Sequence, residues 1–96
     1  MGDFPITGIA YYTREAYAQL LQGADDRSSL CDTWEEWLLE YEKALNGLKK
    51  EGLEVYPYLM DMHELKAWCK SRRISNTGKS RAAFVSAKMS MRHKPD

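Results

Sequence analysis

One helix constrains this chain more than any other feature. Trp34, Trp37, Leu38, Tyr41, Leu45 and Leu48 recur at i, i+3, i+4, i+7, i+11 and i+14, a single apolar stripe on an α-helix. Asp32 or Thr33 starts it. Glu35 and Glu36 stand in its first turn and Lys49 and Lys50 in its last, so both ends complement the helix dipole. Gly52 offers a stop. An amphipathic helix draws most of its stability from packing, so this stripe is expected to be the main core surface. Each large side chain fully buried there contributes about 1.5–3 kcal/mol.

The remaining segments read as partners for that helix. "GIAYYT", residues 8–13, is a strand, and Thr13 caps a helix carrying Tyr17, Leu20 and Leu21 until Gly23 ends it. "ADDRSSLCD", residues 24–32, is a loop of turn formers. "LEVYPYLMD", residues 53–61, is a second strand. It places Leu53, Val55, Pro57 and Leu59 on one face and Glu54, Tyr56, Tyr58 and Met60 on the other. Pro57 cannot donate to a ladder, which predicts an edge or a bulge. Asp61 with Glu64 forms an acidic capping box, followed by Leu65, Trp68 and Cys69. These lie at plus four, seven and eight from Asp61, as Tyr17, Leu20 and Leu21 lie from Thr13, so the chain reads as two strand–cap–helix units. "SRRISNTGKS" is a loop, and a last helix over 78–91 carries Ala83, Phe84, Ala87 and Met91.

The expected fold is therefore α+β: a small, mostly helical single domain over 1–96, with residues 1–7 and 92–96 as flexible tails. Its order is β-α-α-β-α-α, with a two-stranded sheet that can pair in parallel through a crossover. Two strands alone are marginal, so either the helices cover them closely or an edge pairs with a second chain. At 96 residues, 44% hydrophobic and 29% charged, the chain is long enough for one thin core and too apolar for disorder.

Several function classes fall away. No apolar run approaches the roughly 20 residues that span a bilayer, so no membrane partner is expected. "MGDFPITG" lacks the basic and apolar regions of a secretory signal, and Ile6 stands where a myristoylation pattern needs Ser or Thr. The expected location is cytoplasmic, with Cys31 and Cys69 as reduced thiols whose ordinary role is core packing. Asp61, His63, Glu64 and Cys69 match no metal-ligand spacing, so neither metal nor cofactor is expected.

Zero net charge hides an asymmetry. Residues 1–47 hold nine acids against three bases, a net −6, whereas residues 65–95 hold nine bases and no acid. Within the basic half, "SNTGKSR" ends like a phosphate-binding P-loop. That loop needs a Gly five residues before Gly78 and a preceding strand; the position is Arg73, and the preceding element is a helix. No nucleotide is expected. The segment reads instead as a helix start capped by Asn76 or Thr77, with Arg72, Arg73, Lys79 and Arg81 available to an anion or a nucleic-acid backbone. The other reading is a solvated basic loop, or one that meets the acidic helix at Glu35, Glu36, Glu40 and Glu42.

Three functions remain in view. The leading one is a non-enzymatic protein-interaction module, able to form a homodimer through a strand edge at Tyr56 and Tyr58, since tyrosines suit interfaces. The second is a nucleic-acid accessory protein using the basic segment, 66–94. The third is a small cysteine enzyme pairing Cys31 with His63 or Cys69 with His93. Residues 32–84, with the two-Trp helix, the Gly before a strand, the "WC" pair and an Arg-Ala-x-Phe run, resemble a family of small uncharacterised bacterial proteins. The resemblance spans about half the chain. It implies a compact bacterial cytoplasmic domain and carries over no activity, ligand or site residue.

Overall fold

A computed structural model describes residues 6–92. The chain runs through β1 (Ile6–Tyr11), α1 (Arg14–Gly23), a single 3-10 turn (Arg27–Ser29) and α2 (Trp34–Lys50). It continues through β2 (Glu54–Leu59), α3 (Met62–Arg72) and α4 (Gly78–Arg92). This is the expected β-α-α-β-α-α order. The strands pair in parallel, from Ile6 opposite Glu54 to Tyr11 opposite Leu59. β1 begins earlier than the expected residue 8 and ends before Thr13, because Thr13 leaves the strand to cap α1, its hydroxyl accepting from the Ala16 amide. Residues 6 and 7, expected as tail, belong to the ladder, and Arg92 closes α4. The rest of the expected tails lies outside the described residues.

The capping oxygens stand where the sequence placed them. Thr33 accepts from the Glu36 amide and Asp61 from the His63 and Glu64 amides. Ile6 and Glu54 pair across the sheet 48 positions apart, and Thr13 and Asp61 share that separation. So do Tyr17 and Leu65, both fully buried. The strand–cap–helix similarity is thus a similarity of position: β1–α1 and β2–α3 lie side by side in register, with α1 against α3.

The sheet is covered on both faces, unequally. Side chains alternate across a strand, so Gly8, Ala10, Tyr58 and Met60 share one face, and Ile9, Tyr11, Pro57 and Leu59 the other. α4 lies on the first face. A Cβ on Gly8 would come within 2.7 Å of Val85 Cγ1 and Met89 Cγ, so glycine there permits the close approach. The core is Tyr12, Tyr17, Leu20, Met60, Leu65, Cys69, Phe84, Val85 and Met89. α4 therefore does not present the expected Ala83–Phe84–Ala87–Met91 face. Ser80, Arg81, Phe84, Val85 and Met89 turn inward, Ala83 is exposed, and the Met91 side chain lies outside the description.

α2 lies on the second face and corrects a larger expectation. Every residue of its stripe is at least half-covered, but only Tyr41 is buried. Its aromatic end is well made: Trp37 meets the rings of Tyr11, Tyr12, Tyr17, Trp34 and Tyr41 at centroid distances of 5.3–6.4 Å. The core proper lies instead among α1, α3, α4 and the α4 face of the sheet.

Candidate functional site

The linker between α3 and α4 resolves the question raised by its sequence. The cation that follows it, Arg81 in α4, is met by an acid from the α1–α2 loop, not by the acidic face of α2. Arg81 Nη1 and Nη2 donate to Asp26 Oδ1 and Oδ2 at 3.0 and 2.8 Å, a bidentate pair with side chains only 8% and 19% exposed. The Gly78 amide, first in α4, donates to the same Asp26 Oδ2 at 2.9 Å. Asp25 accepts from the Asn76 amide at 2.7 Å and returns its own amide to the Asn76 carbonyl at 2.9 Å. Thr77 and Ser80 cap α4 reciprocally, each hydroxyl accepting from the other's amide.

A helix N-terminus beside an arginine attracts an anion, and here the protein's own carboxylate fills that role. The Arg81 guanidinium, with help from the Gly78 amide, holds the Asp26 carboxyl below its ordinary pKa of 3.8. Beside this cradle Tyr12 is buried, and burial pushes its phenol up to about 12.

The other basic candidates are differently placed. Arg72 lies over the Trp68 ring, 4.5 Å from its centroid. Arg73 ends α3 in the left-handed conformation, at φ 57°. Lys79 is exposed in the first turn of α4. Arg81 is thus set apart from the other three by its commitment to Asp26. Its partner lies 55 residues away, and the only sequence signal was an acidic pair inside a loop of turn formers.

The tyrosines divide as well. Tyr58 packs edge-on against Phe84 beneath α4, and Tyr56 is 37% exposed. The Met60 amide donates to the Tyr11 carbonyl, so the even-numbered residues of β2 turn their backbone groups toward β1. Val55, Pro57 and Leu59 then point theirs at the open edge. Pro57 leaves that edge without its central donor, which blunts it against strand addition. On the far side of the sheet, the Trp34 indole donates to the Tyr12 carbonyl just beyond β1.

An open groove of about 750 Å³ separates α1 from α3. Its α3 wall carries His63, Lys66 and Lys70, and Cys69 and Ile74 lie between its sides. It adjoins a cleft of about 510 Å³ at the carboxyl ends of both strands, lined by Glu15, Asp61 and Glu64. His63 thus shares a surface with Cys69 and not with Cys31, whose carbonyl is held by the Tyr17 hydroxyl. No hydrogen bond joins either thiol to a histidine among the described residues, and His93 lies outside them. Among those residues no group of three or more His, Cys, Asp or Glu is placed to hold a metal, and no helix is long and apolar enough to cross a membrane.

No protein-family model matches the chain, and no curated protein or solved structure does. The functional reading therefore rests on geometry.

Proposed function

We propose that the protein is a non-enzymatic interaction module that acts as a homodimer in the cytoplasm, through the α2 side of its sheet. The observation that carries this reading is the half-covered state of that side. Leu59, beside Tyr11 on the α2 face, is 61% exposed, and Leu39 on α2 is exposed to the same extent. Pro57 is exposed, and Leu38, Leu45 and Leu48 are partly rather than fully buried. A single exposed leucine needs no partner, but Leu59 and Pro57 beside an amphipathic stripe that is only partly buried favour one.

A second copy fits this surface electrostatically. α2 is acidic in its first turn, at Glu35 and Glu36, and basic in its last, at Lys49 and Lys50. A twofold axis near Glu42 would lay two α2 helices antiparallel and set each acidic end against the other's basic end. The strand edge once expected at Tyr56 and Tyr58 is less suited, because Pro57 blunts it and Tyr58 is turned under α4.

A dilution series followed by amide NMR tests the reading. Shifts confined to α2 and residues 57–59 support it; shifts in α3 and α4 alone, or none at all, reject it.

A second reading has narrower support. Lys66, Lys70, Arg73 and Lys79 have no acidic partner within ion-pair reach among the described residues, and with Arg72 they could follow a nucleic-acid backbone. Such binding would weaken steeply with salt as counterions are released. Duplex or single-stranded probes that leave the low-salt spectrum unchanged would remove it.

A further inference from the structure

The geometry points to the α1–α3 groove as a binding site for a small amphipathic anion, an apolar body with one carboxylate or phosphate head. The groove serves neither the dimer face nor the aromatic cluster. Its volume, about 750 Å³, lies within the range of roughly 300–1,000 Å³ common for small-molecule sites. It also lies where the two similar strand–helix units meet, between the helices that follow the parallel strands.

Charge defines the head. Lys66 and Lys70 sit one helical turn apart on the groove wall, and neither has an acidic partner among the described residues. Like charges at this spacing destabilise a helix, and an anion bridging them would reverse that effect. His63 stands on the same helix one turn earlier, and Gln19 faces it from α1 with an amide able to donate. Asp25 is the one carboxylate on the lining, and it is already engaged by the Asn76 amide at 2.7 Å.

Apolar groups define the body. Met62 and Cys69 form a soft floor. The adjoining cleft, with Glu15, Asp61 and Glu64, sets the direction of binding. It repels an anionic head, so the head is held at the Lys66–Lys70 end and the tail lies along Met62 toward the strand ends.

Titration of the full chain with octanoate, octyl phosphate and octan-1-ol, followed by amide NMR, tests the site. The expected result is saturable shifts along α1 and α3 with at least one of the two anions, and much weaker binding of the alcohol. The double variant Lys66→Glu, Lys70→Glu changes only exposed side chains, and its unchanged circular dichroism would confirm folding. It should raise the Kd for the bound anion about tenfold. Equal binding of alcohol and anions, an affinity indifferent to the charge reversal, or no saturable shift with either anion would overturn the assignment. Comparing the two anions shows which head the lysines prefer.

Discussion

Helices α2 and α4 lie on opposite faces of the same two strands, and the better amphipathic helix of the two is the less buried. α2 has the cleaner apolar stripe and the better-matched end charges, yet it buries Tyr41 alone. α4 has a weaker pattern and buries five of its described residues, including the polar Ser80 and Arg81. Proximity accounts for the difference. Gly8 lets Val85 and Met89 settle onto β1, and Asp26 draws the first turn of α4 inward through Arg81 and the Gly78 amide. α2 meets the sheet across large rings at Tyr11, Trp37 and Tyr41, which hold it off and leave leucines at the margin. Hydrophobic pattern tells a helix which side to bury; the partner surface decides how deeply.

The polar anchor of α4 is where this contrast should break most severely. Replacing Arg81 with Met, or Asp26 with Ala, leaves a largely buried charge without its partner and should cost about 3–5 kcal/mol in urea unfolding. The double variant should recover part of that loss. A loss below about 1 kcal/mol in the single variants would place Arg81 outside the forces that seat α4.

The same pair gives a pH signature. The folded pKa of Asp26 is depressed, so its contribution is present above the unfolded value of 3.8 and is lost as pH falls through the folded value. The stability gap between wild type and Asp26→Asn should therefore narrow on acidification below about pH 4. A gap that stays constant on acidification would contradict this assignment.

Gly8→Ala should have the next largest effect, about 1–3 kcal/mol, because the added methyl overlaps Val85 and Met89. Trimming Val85 to Ala should cost less in the Gly8→Ala background than in wild type, a coupling readable in a double-mutant cycle.

The smallest expected effect is a gain. Arg73 holds a left-handed conformation that favours glycine, so Arg73→Gly should stabilise the fold by up to about 1 kcal/mol. No gain would show that the arginine side chain offsets its own backbone strain.

Much of this architecture was legible in the sequence because it is local. Thr13, Thr33 and Asp61 announce three helix starts within a turn of themselves, and the parallel order follows from strands separated by helices. The inward face of α4 was not legible, since nothing in residues 78–92 reveals that a glycine 70 or more positions earlier will admit Val85 and Met89. Arg81 read as free for an external anion because a cluster of bases does not disclose a carboxylate 55 residues away. The outward aim of Pro57 needed the pairing register, and the groove needed α1 and α3 brought together. Only the one-turn spacing of Lys66 and Lys70 hinted at it.

The central claim is that the α2 face is finished by a second copy. Sedimentation equilibrium of wild type and Leu59→Lys over a wide concentration range tests it most directly. Leu59 is exposed, so the variant should keep its stability within about 0.5 kcal/mol. The account predicts that wild type approaches the mass of two chains as concentration rises and that the variant stays at one. A wild type that remains at the mass of one chain throughout, or a variant that associates equally well, would contradict it.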